Sequence, residues 1–408
     1  VVRVPGAIIA ALALCAGAGA ADRHLPVFDA IDRLVVERFF DPDLNGLDWD
    51  ALRSEHRVLA HAAPDDEAFA GVVNGLLVRL EASHTAYIGP DDPRNAELLD
   101  IFRFAHEGLI AERYGDGGVR TATIGARFER IDDRWFVIDL VPGAPAEHAG
   151  LLVGDEIVSA GDAPFEPGRS FAGRAGDRMA LRIRRDGPEA QPIEIVVHPI
   201  EASPHELWRD SIGASARVIE RDGRRLGYVR IYSWAGAEMQ EAFVAALGSE
   251  PLASAEGLVL DIRGGWGGAS AGYLDVFNAA AVPPTTMTLR DREPIVIDDR
   301  WRKPVVLLID GGTRSGKEMV AFGFRRAGLG PIVGATTAGA VLAGSVFPLP
   351  DGGLLYLAVG DVTVAGERLE GVGVAPDIAV ERAIPYRAGT DAQLDGALDA
   401  LGEVIAER

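Results

Sequence analysis

The sequence predicts a mixed α/β protein in three parts: an N-terminal helical domain, a small β-rich domain and an α/β core. Three observations predict it. Apolar residues recur at helical spacing over 25–92. Short alternating runs separated by Gly, Pro and Asp fill 115–200. Buried-strand runs then alternate with helical stretches from 205 to 385. With 408 residues and 48% hydrophobic content, the chain is long enough to bury sizeable cores.

Composition removes several function classes. Forty Lys and Arg oppose 61 Asp and Glu, for a net charge of −21. Nucleic acid is excluded as the main partner, because phosphate contacts need a basic face. Lys303 and Lys317 are the only lysines, so any lysine chemistry has two candidates. Cys15 is the only cysteine, which excludes a disulfide framework and a cysteine metal site. No cofactor and no metal are expected.

The first twenty residues read as a targeting segment. Arg3 supplies a basic start, Ala7 to Ala16 an apolar run, and Ala18-Gly19-Ala20 a small-residue cleavage pattern. Cleavage after Ala20 leaves a protein expected in the periplasm or outside the cell, with no later membrane span; an uncleaved anchor is the alternative.

Residues 21–112 are expected to form the helical domain. Phe28, Ile31, Leu34, Val35 and Phe39 share one helical face, as do Phe69, Val72, Val73, Leu76, Leu77 and Leu80. Asp41-Pro-Asp-Leu-Asn-Gly46 reads as a turn. It imitates the first half of a calcium loop, but Leu52 stands where the twelfth-position Glu belongs and Pro42 is unwelcome.

Residues 113–202 are expected to form the β-rich domain, with strands at Trp135–Leu140 and Ala180–Arg184. Pro142-Gly-Ala-Pro-Ala-Glu-His-Ala-Gly-Leu151, followed by Gly154-Asp-Glu-Ile157, resembles the helix-and-strand stretch of a PDZ domain. PDZ domains take C-terminal peptide ends by strand addition, with backbone N–H groups on the carboxylate. By that resemblance the carboxylate loop falls at Ile124, Gly125 and Ala126. A plain spacer between domains is the other reading.

Residues 203–408 are expected to form the core. Leu226–Ile231, Gly257–Ile262 and Pro304–Ile309 read as buried strands, Lys317–Ala327 as a helix, and Asp391–Glu407 as a packing helix. The loop Ile309-Asp-Gly-Gly-Thr-Arg-Ser-Gly-Lys-Glu318 admits two chemistries. Gly311-x4-Gly316-Lys317 approaches a phosphate-binding loop, which would make a nucleotide-binding enzyme. Glu318 stands where Ser or Thr should hold magnesium, so its charge would oppose the phosphates. Alternatively, Ser315 is a nucleophile lifted by a strand-to-helix turn. The Gly316 amide then points into the site from the helix N-terminus. The glycine run Arg263-Gly-Gly-Trp-Gly-Gly268, with an amide near Gly267, supplies a second oxyanion donor.

A serine needs a base. No histidine follows His205. Lys317, two residues along a helix from Ser315, points away from the hydroxyl. A histidine from the N-terminal domain remains, and His84 in Glu81-Ala-Ser-His-Thr-Ala-Tyr87 is the best placed; a structural histidine is the alternative.

Asp48-Trp49, Leu80–Thr85, the PDZ-like stretch, Leu260–Gly268, the Ser315 loop, Gly334-Ala-Thr-Thr-Ala-Gly339 and Gly371-Val-Gly-Val-Ala-Pro-Asp-Ile378 stand in one order. Together they resemble the C-terminal processing peptidase and tricorn core protease family over nearly all of 25–401. The resemblance implies a crotonase-like ββα core with an inserted PDZ domain and an N-terminal helical domain. The processing-peptidase branch carries a catalytic Lys where this chain has Ala340. The tricorn-type branch implies Ser315 as nucleophile, His84 as base, Ser83 as the second serine and Glu370 as the glutamate. The expected function is a secreted or periplasmic serine endopeptidase that takes polypeptides by their C-termini. A non-catalytic PDZ-bearing binding protein on a protease-like scaffold is the alternative.

Overall fold

The computed structural model describes residues 8–278, 283–298 and 300–408. The chain divides into two compact units: residues up to 107 together with 342–363, and residues 108–341 together with 364–408. The excursion at 342–363 interrupts the stretch that the sequence assigns to a continuous core.

In the first unit the expected helical repeats form helices Ile8–Arg38, Trp49–Ala62 and Asp66–Leu77. The leader expected at 1–20 is described from residue 8, as the start of the first helix. Asp48 and Asp65 cap the second and third helices by accepting from the Ala51 and Ala68 amides. The Asp41 carboxylate accepts from the amides of Asp43 and Asn45, which makes 41–46 a self-bonded turn. Phe28, Ile31, Val35, Phe69, Val73, Leu76 and Leu80 bury one common core. Each fully buried side chain of this size is worth about 1.5–3 kcal/mol. The hairpin Ala343–Pro348 and Leu354–Gly360 completes that core with Leu355 and Leu357. Its second strand pairs antiparallel with Ala86–Ile88, so three residues beyond His84 are fixed in register against a hairpin distant in sequence.

Among the described residues the second unit holds two six-stranded sheets and two short two-stranded ones. A β-rich module orders its strands Ala126–Ile131, Arg134–Leu140, Glu156–Ala160, Met179–Arg184 and Ile193–Val197. Ala126–Ile131 is an edge strand, with Phe128 packed on Phe165 and Phe171. The other six-stranded sheet orders Arg217–Arg221, Arg224–Arg230, Gly257–Asp261, Val305–Ile309, Ile332–Gly334 and Ile378–Ala379. All its neighbours are parallel except the first pair. The expected tail helix, Ala392–Ala406, packs Leu398 and Leu401 on Leu226, Val259, Val306 and Val333.

Module and sheet are joined by buried charge. Asp139 of the module pairs with Arg230 at 2.6 Å. Arg382 donates to the Ile138 carbonyl and pairs with Asp310 at 2.6 Å. Buried pairs of this kind are costly to break singly, because each partner leaves the other uncompensated. Among the described residues no helix is long and apolar enough to cross a membrane.

Candidate active site

Gly257–Asp261 and Val305–Ile309 are adjacent and parallel, so the loops after them emerge at one end of the sheet. Asp310 stitches those loops together. Its carboxylate accepts from the amides of Gly264, Gly312 and Thr313 at 2.9, 2.9 and 3.1 Å. The chain then turns at Ser315 into helix Gly316–Arg326. Ser315 has φ 57° and ψ −130°, which a non-glycine residue holds only at a cost of about 1–3 kcal/mol. The surroundings over-determine it. Its N–H donates to the Ala340 carbonyl at 2.8 Å and to the Glu318 carboxylate at 3.1 Å.

Gly267 lies directly on this turn. A Cβ there would stand 2.5 Å from the Ser315 Cβ and 3.0 Å from the Gly316 nitrogen. A Cβ on Gly316 would collide with the backbone of Ala269. Both proposed oxyanion donors are thus positions where only glycine fits, beside the serine. The Gly316 N–H also belongs to the first turn of a helix, where amides lack intrahelical acceptors.

Lys317, which gave the loop its phosphate-binding look, and Glu318, which opposed it, both serve as scaffold. Glu318 is buried, and its carboxylate accepts from Thr337 Oγ1 at 2.6 Å, Gly339 N–H at 2.8 Å and Ala340 N–H at 2.7 Å. Burial pushes its pKa up, against the pull of those hydrogen bonds. Lys317 is fully buried, and Nζ donates to the carbonyls of Tyr232 at 2.8 Å and Gly264 at 3.1 Å. It is turned away from the loop surface, as its helical spacing from Ser315 predicts. Sequence reasoning missed the Glu318 role, although Ser315-x-x-Glu318 is the spacing of a capping box.

Ala340 offers no side-chain base, but its backbone holds the Ser315 turn on one side and Glu318 on the other. Glu370, half-buried in the same unit, accepts from the Val341 N–H at 2.7 Å. Gly371 N–H bonds to the Gly339 carbonyl at 2.8 Å, which ties the Glu370 segment to the same loop.

The Trp266 ring, from the glycine loop, has the guanidiniums of Arg314 and Arg127 at 5.6 and 5.7 Å from its centroid. Arg127 belongs to the module's edge strand. Next to it, Ile124 is buried, and Gly125 takes φ 70° where a Cβ would collide with Ala144. The Gly125 N–H already donates to Thr123 Oγ1 at 3.0 Å.

His84 and Ser83 lie in the first unit, between the turn Val78–Leu80 and strand Ala86–Ile88. His84 is 4% exposed and has φ 56°. Its Nδ1 is 2.8 Å from Ser83 Oγ, and its ring meets Tyr356 edge-on at 5.1 Å. Gly344 makes room for it: a Cβ there would lie 2.8 Å from His84 Cδ2.

Comparison with known proteins agrees with the resemblance read from the sequence. Residues 225–380 match the model of peptidase family S41, and residues 24–77 match the tricorn protease C1 domain. The chain is 26% identical over 407 residues to the putative tricorn protease homolog 2 of Streptomyces coelicolor, covering 93% of this chain and 32% of that protein. It is likewise 26% identical over 407 residues to the chloroplastic C-terminal processing peptidase of Tetradesmus obliquus, covering 94% and 81%. Among solved structures, tricorn protease superposes with a TM-score of 0.57 at 18% identity, covering 95% of this chain and 37% of that one. The chain spans about a third of the length of the tricorn-homologue relatives it matches.

Proposed function

We propose that this chain is a serine endopeptidase that hydrolyses polypeptides through Ser315, on a crotonase-like core. The observation that carries the reading is the Ser315 turn: a strained helix-capping serine with Gly267 packed against its Cβ. The matched peptidase model spans that turn, and the named relatives are proteases.

In the proposed mechanism His84 takes the Ser315 proton as the hydroxyl attacks a peptide carbonyl. The Ser83 contact at Nδ1 supports this role. With Ser83 Oγ accepting from Nδ1–H, Nε2 keeps its lone pair for the serine. Gly316 N–H and an N–H at Gly267 take the oxyanion. The His84 imidazolium then protonates the leaving amine, and water hydrolyses the acyl-enzyme. Glu370 acts as the fourth member by orienting the catalytic water or the base.

The β-rich module is read as PDZ-like. Its edge strand Ala126–Ile131 and the adjoining turn at Ile124, Gly125 and Ala126 would bind a substrate C-terminus by strand addition. Secretion through the N-terminal leader completes the proposal.

Two experiments test it. Purified protein should degrade a denatured protein mixture, and Ser315→Ala should abolish this while remaining folded, since it deletes one hydroxyl; retention of more than a few per cent of turnover removes Ser315 as nucleophile. Calorimetry on full-length Ser315→Ala should show tight binding of a peptide with a free apolar C-terminus and much weaker binding of its amide. Equal binding of acid and amide leaves the module as a spacer.

A further inference from the structure

Lys317 has no step in that mechanism, yet it is completely buried two residues from the nucleophile. Its two direct acceptors are the carbonyl of Tyr232, just past strand Arg224–Arg230, and that of Gly264, in the loop that carries Gly267. The Tyr232 carbonyl takes Lys317 Nζ at 2.8 Å and also the Trp266 N–H at 3.0 Å. The Gly264 carbonyl takes Nζ at 3.1 Å. Trp234 N–H reaches back to the Gly267 carbonyl at 3.1 Å, and Gly265 stacks so closely on Tyr232 that no Cβ fits. The ammonium therefore ties two segments, the one after strand Arg224–Arg230 and the glycine loop after Gly257–Asp261, to the helix that Ser315 begins.

We propose that Lys317 is a positioning residue for acylation: its ammonium holds the glycine loop 264–268 against Ser315, so that the Gly267 amide stays aimed at the oxyanion, and loss of its proton slackens the loop. This deepens the peptidase reading and rests on it.

The charge around Lys317 suits a clamp that titrates. Arg230 comes from strand Arg224–Arg230, Asp139 from the module, and Asp261 and Asp310 from the ends of the two central strands. Each of these carboxylates has its own arginine: Arg230 on Asp139, Arg263 on Asp261 and Arg382 on Asp310. Lys317 is left with carbonyl dipoles. Burial first, and Arg230 second, push its pKa down to about 7, against the pull of the three carboxylates. The working form is the charged one, so acylation should fall as pH rises through that value. A histidine base gives the opposite limb, because it must be neutral. Stability runs the other way. The unfolded lysine binds its proton up to about pH 10.4, so between about 7 and 10 the unfolded state holds more protons. Lys317 should therefore favour the folded state increasingly as pH rises, while activity drops.

Because the chain has two lysines, the test needs no crowded spectrum. Full-length protein labelled at lysine Cε is titrated by NMR, alongside the rate of fluorophosphonate labelling of Ser315 from pH 5 to 10. One lysine signal should titrate near 7, should vanish in Lys317→Met, and should share its midpoint with the alkaline fall in labelling. Lys317→Met should label about tenfold more slowly below pH 7, lose the alkaline limb, and keep the wild-type KM for a peptide substrate. If that variant does not fold, coincidence of the two wild-type midpoints decides the matter. A labelling rate and pH profile unchanged in folded Lys317→Met, or a lysine that stays charged to pH 10 while labelling falls earlier, would overturn the clamp. A wild type unreactive at every pH refutes the peptidase reading itself, and the clamp's catalytic role with it.

Discussion

The Ser315 turn and the His84 loop are held by different means. Ser315 is fixed mainly through its backbone: its amide is shared by the Ala340 carbonyl and the Glu318 carboxylate, and Gly267 and Gly316 fill space where no side chain fits. His84 is fixed through side chains: the Ser83 hydroxyl at Nδ1, the edge of Tyr356, and a hairpin strand that happens to carry Gly344. The two are therefore perturbed by different substitutions: the turn by a Cβ at Gly267 or Gly316, the ring by changes at Ser83 or Tyr356.

Removing the base should have the largest effect. His84→Ala should slow hydrolysis on the order of 10³-fold or more, with the variant still folded. A loss below tenfold would mean that the base lies elsewhere. Gly267→Ala tests the backbone side. Its Cβ must displace Ser315 or the Gly267 amide, so kcat should fall about 10²–10³-fold with little change in KM. An active Gly267→Ala enzyme would show that the loop supplies no oxyanion donor. Ser83→Ala should be the mildest, about tenfold in kcat. Its pH profile should also move, because the hydroxyl sets which imidazole nitrogen carries the proton. An unchanged profile would reduce Ser83 to a neighbour.

The same contrast explains what the sequence could reveal. The helices of the first unit and the buried strands of the core are legible because apolar spacing repeats within each element. The Ser315 turn is legible because strand, glycines and helix follow in one short segment. The hairpin at 343–360 is not, since its pairing with Ala86–Ile88 spans more than 250 residues and no local pattern encodes it. Lys317 misleads when read as part of a phosphate loop, and Glu318 when read as a charge facing the phosphates, because the sequence does not reveal that both side chains are buried. The Asp139–Arg230 and Asp310–Arg382 pairs escape notice for the same reason. Charged residues read as solvent-facing until the fold closes over them.

In the proposed mechanism Ser315 is a nucleophile activated from outside its own turn. Fluorophosphonate labelling followed by peptide mapping tests it most directly, with wild type and His84→Ala compared at pH 7. The wild type should carry a single adduct on Ser315, and labelling should be at least about 10³-fold slower in the variant. An adduct on another residue, or equal rates in the two proteins, would contradict it.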